Sequence, residues 1–188
     1  MCTEPTRTRV PPFPRTGRRA ARGLVLGGCM AVAMAASGAM PEEVAETLEA
    51  MPEEDLIIFE PEEAEAQHTV TVFTDVTCPH CQDLHADLDD YLEQGIRVRY
   101  AAFALSDASR ELMDRVWCSE DRHQALEAAK SGEQPEAEAC DASPVNRHQE
   151  TAQQIGVPGT PTMATPGGEL SFRLTPEDLA DLLEEEAQ

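Results

Sequence analysis

Two cysteines two residues apart, Cys78-Pro79-His80-Cys81, follow directly on the alternating run Thr-Val-Thr-Val-Phe-Thr at residues 69–74. Past them, Leu84, Leu88, Tyr91 and Leu92 recur at helical spacing up to Gly95. A period of two before the pair and about 3.6 after it predicts a strand that runs into a helix whose first turn carries the cysteines. At a helix N-terminus the unpaired N–H groups and the positive end of the dipole favour a thiolate over a thiol. Cys78 is therefore read as the nucleophile. Pro79 fits the first helical turn, where its missing N–H is not needed, and a protonated His80 adds positive charge beside the sulfur. Both lower the Cys78 pKa, and a redox-active dithiol is the leading reading. A C-x-x-C is also half of many zinc sites, so the rest of the chain has to decide.

The chain has 188 residues, enough for one ordinary domain and a targeting segment. Its first 22 residues hold six arginines and four prolines and cannot pack as a core; residues 23–40 carry no charge. Ser37 and Ala39 have the spacing of a signal-peptidase site, so residues 1–39 are expected to be an export signal cleaved after Ala39. Two other readings stay open. The apolar run is at the lower edge of a membrane span, which would leave an uncleaved anchor, and Leu26-Gly27-Gly28-Cys29 is a passable lipoprotein box. The expected location is the periplasm, free or held at the membrane facing it.

Formal net charge is −22. Removing residues 1–39 takes six arginines and one glutamate, so the remainder is more acidic still. Nucleic acid is excluded as a partner, because phosphate binding needs clustered Lys and Arg. The acidity, with Lys130 as the single lysine, reads as a solvated surface of the kind a saline habitat favours. Removal of the signal leaves Cys78, Cys81, Cys118 and Cys140. Four cysteines permit three pairings, and the close Cys78/Cys81 pair makes Cys118 with Cys140 the natural second one.

Residues 40–54 are Glu-rich, with Val44, Leu48 and Met51 at helical spacing, and are expected to be a short acidic linker helix too thin for a core. The domain proper is placed at residues 55–188. A short apolar strand at 55–59 and the strand at 69–74 are expected to pair as a hairpin, and 96–105 reads as a buried strand. Residues 106–130 read as one helix with Cys118 inside it, 135–144 as a loop carrying Cys140, and 145–155 as a helix stopped at Gly156. After the turn Val157-Pro158-Gly159-Thr160-Pro161, residues 162–165 and 170–173 form a terminal hairpin. Thr175-Pro176-Glu177-Asp178 caps a last helix. The order describes an α/β layer fold with Cys78 at the carboxyl end of its strand.

With Phe73-Thr-Asp-Val-Thr-Cys78-Pro-His-Cys81, Gly95-Ile-Arg-Val-Arg-Tyr100, Val116-Trp-Cys118 and Gly156-Val-Pro-Gly-Thr-Pro161 in view, the chain resembles bacterial thiol:disulfide interchange proteins of the DsbC/DsbG type. The resemblance implies a thioredoxin-like fold with a helical insertion, a catalytic Cys78/Cys81 pair, a structural disulfide between Cys118 and Cys140, and a cis-proline at Pro161. Thr160 would present its backbone to substrate. It implies cysteine-containing exported clients, a membrane or soluble redox partner and no cofactor. Two departures shape the expectation. Only about 15 residues precede the matching region, where the family carries a dimerisation domain, so a monomer is expected. Pro79-His80 is the dipeptide of strongly oxidising DsbA-type enzymes, which shifts the expectation toward disulfide donation.

The competing readings are a redox-inert client-binding module and a metal-handling C-x-x-C protein. His80 and His85 lie near the thiols, but no second C-x-x-C closes a tetrahedral shell, and no metal site is expected. His68, His123 and His148 read as ordinary surface residues, and Trp117 and Phe103 as core.

Overall fold

The computed structural model describes residues 39–62 and 65–188. The expected signal at 1–39, with Cys2 and Cys29, lies outside the described residues except at its last position. No helix among the described residues is long and apolar enough to cross a membrane.

Five strands form one sheet: β1 (Ile57–Phe59), β2 (His68–Thr74), β3 (Ile96–Ala102), β4 (Thr162–Ala164) and β5 (Leu170–Phe172), in the order β1-β3-β2-β4-β5. Strands β2 and β3 are parallel, and every other pair is antiparallel. The crossover between β2 and β3 is α2 (Pro79–Ala86) and α3 (Leu88–Glu93). Between β3 and β4 come α4 (Asp107–Trp117), α5 (Arg122–Lys130) and α6 (Val145–Ile155). The chain enters through α1 (Pro41–Glu49) and ends in α7 (Pro176–Glu186).

The period of two along β2 and β3 splits the core. Val70, Val72, Val98 and Tyr100 pack with Leu84, Tyr91, Met113, Val116, Leu126 and Leu179 in one cluster. Phe73 and Ala101 pack with Val44, Leu48, Ala152 and Ile155 in the other. Helix α1 is therefore not a thin linker. Val44, Leu48 and Met51 are buried, and Gly168, at φ +86°, lets α1 approach so closely that a Cβ there would collide with the Pro41 carbonyl.

The expected β1–β2 hairpin does not form. Both edges of β2 are taken, by β3 and β4, and β1 pairs with β3 instead, Ile57 opposite Tyr100 and Phe59 opposite Val98. Arg97 on β3 holds this arrangement from both flanks of β1, through Glu53 at 2.7 Å and Glu60 at 2.6 Å. Trp117 is buried as expected, and its Nε1 donates to the Asp55 carbonyl at 2.8 Å.

Residues 106–130 form two helices where one was expected. Asp121 accepts from Gln124 N–H at 3.0 Å and starts α5 afresh, so Cys118 is the C-terminal cap of α4 instead of lying within a helix. The run from Pro79 to Gly95, expected as one helix, is likewise broken, at Asp87 between α2 and α3. Helices α4 and α7 start where the sequence puts them: Ser106 caps α4 from Ser109 N–H, and Thr175 caps α7 ahead of Pro176.

Of the three histidines read as surface residues, His123 is exposed but bonds the Ile58 carbonyl of the edge strand at 2.7 Å, and His68 is half-buried at the start of β2. His148 is buried. Its Nδ1 accepts from Ala102 N–H at 3.2 Å, so protonation would cost that bond, and burial pushes its pKa down to about 4. Burial, with some repulsion from Lys130, does the same to His85. In the unfolded chain both return to about 6.5, so between these values the unfolded state binds more protons and stability falls as pH falls. The expected loss approaches about 1.4 kcal/mol per pH unit for each histidine in the middle of that window. Denaturant midpoints at pH 7 and pH 5 should show it, and His148→Gln, which keeps an acceptor, should flatten the slope.

Candidate active site

Strand β2 delivers the site, and a buried aspartate shapes the turn that follows. Asp75 Oδ1 accepts from the N–H and the hydroxyl of Thr77, both at 2.7 Å, and Oδ2 accepts from Leu105 N–H at 2.8 Å. Gln82 Nε2 closes the loop from the helix side by donating to the Val76 carbonyl at 3.0 Å. Cys78 is thereby set as the N-cap of α2, with extended backbone and Pro79 in the first turn. No side chain caps this helix, which leaves its first N–H groups available to the Cys78 sulfur.

Both cysteines are free thiols, and Cys81 is the deeper, 1% exposed against 7% for Cys78. Their electrostatic settings differ in sign. Burial opposes a charge on Cys78, but hydrogen bonds from Thr160, from the Cys81 amide and thiol and from the His80 amide together outweigh it, and the thiol is held below its ordinary range. At Cys81 burial wins and pushes the thiol up, against help from the Asp75 backbone, Thr160, Thr74 and Lys130.

The Thr160–Pro161 peptide is cis, and the Thr160 carbonyl lies 3.5 Å from Cys78 Sγ. A carbonyl can only accept, which favours the thiol. The Thr160 hydroxyl is buried and makes no hydrogen bond to the thiol form among the described residues, which leaves it, with the residue's own N–H, able to donate once Cys78 is a thiolate, the form that Thr160 favours. The His80 ring points to the outside, with Nδ1 4.0 Å from Asp83 and the ring centroid 5.8 Å from that of Phe172, itself an exposed aromatic. The nearer contribution of His80 to the sulfur is its backbone N–H.

Cys118 and Cys140 are joined as a disulfide with Cα atoms 5.9 Å apart. His85 is no partner of the thiols. Its Nδ1 meets the Tyr100 hydroxyl at 3.2 Å, and its ring packs edge-on against Phe59 and Tyr100. Among the described residues no group of three or more His, Cys, Asp and Glu side chains is placed to hold a metal ion.

Sequence reasoning missed the groups beneath the pair. Lys130, read as part of a solvated surface, is buried, and its Nζ donates to Thr74 Oγ1 at 2.9 Å and to the Cys81 carbonyl at 3.3 Å. The available signal was its register: Lys130 follows buried Leu126 by four residues and so shares its helix face.

A family model described as a thioredoxin-like domain matches residues 59–187. The chain belongs to the thioredoxin-like family. It is similar to the thiol:disulfide interchange protein DsbC of Haemophilus influenzae, 40% identical over 126 residues that cover 65% of this chain and 55% of that protein. With DsbC of Escherichia coli K12 the identity is 34% over 139 residues, covering 71% and 57%. The chain spans about half the length of the curated relatives it matches. Among solved structures, the disulfide interchange protein of Neisseria gonorrhoeae matches with a TM-score of 0.59 at 24% identity, over 73% of this chain and 99% of that one. The catalytic domain of Proteus mirabilis ScsC matches at 0.56 and 16%, over 77% and 99%. These structural likenesses show the fold, and the thioredoxin-like α/β architecture with helices inserted between β3 and β4 is the one expected from the sequence.

Proposed function

We propose that this thioredoxin-like chain is an exported thiol:disulfide oxidoreductase that exchanges disulfides with client proteins through Cys78 and Cys81. The observation that carries the reading is the opposed setting of the two thiols: Cys78 lowered at an uncapped helix start, Cys81 raised behind it. A thiolate attacks and a thiol waits. The likeness to DsbC proteins supports the same chemistry.

The Cys78 thiolate attacks a client disulfide, or Cys78 of the oxidised pair is attacked by a client thiolate. Either route gives a mixed disulfide, which Cys81 resolves or from which it has just departed. Lowering the Cys78 pKa stabilises the reduced pair and makes its disulfide easier to give away. Pro79, His80, Thr160 and Pro161 tune this step. Cys118–Cys140 braces the inserted helices. Clients are cysteine-containing exported proteins, the location is the periplasm, and a separate membrane or soluble partner resets the pair. A net charge of −22 favours a monomer.

Reduction of insulin and reactivation of scrambled ribonuclease test the reading; wild-type protein is expected to do both, and inactivity in both assays would overturn it. His80→Tyr removes the ring and leaves the backbone N–H in place. The expected result is a Cys78 pKa raised by a fraction of a unit and a slightly less oxidising pair, read by thiolate titration and glutathione equilibration.

A further inference from the structure

The only lysine in the chain is buried directly under the dithiol. A buried ammonium is costly unless a negative group offsets it. Yet Lys130 makes no ion pair among the described residues; its contacts are the Thr74 hydroxyl, the Cys81 carbonyl and the face of Tyr100, 5.5 Å from the ring centroid. The Asp75 carboxylate favours the charged lysine through space but makes no ion pair with it, its oxygens being held by Thr77 and Leu105, and its influence ranks below that of Cys81. The remaining titratable groups toward it are Cys78, Cys81 and His85 on the α2 side and Tyr100 on β3. Burial holds His85 neutral and pushes the Tyr100 hydroxyl above its ordinary range, so neither supplies negative charge at neutral pH. The thiols are the groups able to acquire one during exchange.

We propose that Lys130 is the buried countercharge of the resolving cysteine, a positioning residue whose ammonium stabilises the Cys81 thiolate whenever the Cys78–Cys81 bond forms or breaks. This rests on the exchange reading above. In disulfide donation a client thiolate attacks Cys78 Sγ, the Cys78–Cys81 bond breaks, and its electron pair leaves on Cys81 beside Lys130; that thiolate later takes a proton from solvent. In the reverse direction the Cys81 thiol gives its proton to solvent, the thiolate attacks Cys78 Sγ, and the client sulfur leaves with the electron pair. The oxidant or reductant in each case is the client's own thiol or disulfide. A leaving thiolate of lower pKa departs faster, so a fixed cation at Cys81 speeds donation. Burial lowers the Lys130 pKa to about 8, which leaves most of it charged at neutral pH.

The test uses the full chain in a Cys78→Ser background, with isotope-labelled cysteine so that NMR titrates Cys81 individually. Lys130→Met keeps an apolar stem in an apolar setting, and Lys130→Gln keeps a donor for Thr74 and the Cys81 carbonyl without the charge. Both are expected to raise the Cys81 pKa by about one unit, a tenfold loss of thiolate at fixed pH. An unchanged titration in Lys130→Met, or a shift in Met that Gln restores, would overturn the countercharge role. Neither result touches the exchange reading, which stands or falls on the wild-type assays, since this titration needs no turnover.

Discussion

Cys78→Ser abolishes exchange, whereas Cys81→Ser accumulates covalent client adducts at Cys78. The two substitutions remove the same atom from sites three residues apart, and the fold makes them unequal. Cys78 sits where the first amides of α2 and the Thr160 hydroxyl favour a thiolate, while burial holds Cys81 as a thiol. Without Cys78 nothing attacks, and the loss should reach the background rate of the remaining thiols. Without Cys81 the first step proceeds and the second has no nucleophile, so the mixed disulfide persists. Non-reducing gels with a disulfide-bearing client check both. Retained catalysis in Cys78→Ser together with no adduct in Cys81→Ser would reverse the roles.

Removing the bridge with the double variant Cys118→Ser, Cys140→Ser should cost about 3 kcal/mol of stability while leaving exchange per folded molecule nearly intact. The cysteines are 22 residues apart, and the loop they close contains α5. Opening it frees the unfolded chain and touches neither sulfur of the candidate active pair. Denaturant unfolding gives the stability and insulin reduction at a permissive temperature gives the activity. An unchanged midpoint, or lost activity in fully folded protein, would contradict the bracing role.

The parts of the fold that announced themselves in sequence are those set by local chemistry. The alternation at 69–74, the Pro79 start and the Thr175-Pro176 cap each depend on neighbours within a turn, and each element begins within a residue of where it was read. What escaped depends on distant partners. Nothing near residues 55–59 says that both edges of β2 are already taken, so the pairing with β3 is a property of the whole sheet. Val44, Leu48 and Met51 bury themselves because α6 and the sheet residues Phe73 and Ala101 stand opposite. Asp121 was a missed local signal, a capping residue three before Gln124 inside what looked like one helix. At the site, the dithiol and its cis-proline were legible, but Asp75 and Lys130 were not. A charged residue reads as solvated until the fold buries it, and only then does its pairing become a matter of chemistry.

Equilibration of the full chain with glutathione, with each cysteine pair trapped by alkylation and read by mass, tests the central claim most directly. The account predicts that Cys78 and Cys81 interconvert between dithiol and disulfide with a potential in the oxidising range of about −120 to −200 mV, while Cys118–Cys140 stays closed throughout. A Cys78/Cys81 pair that does not exchange, or one poised at or below about −270 mV like a reductant, would contradict it.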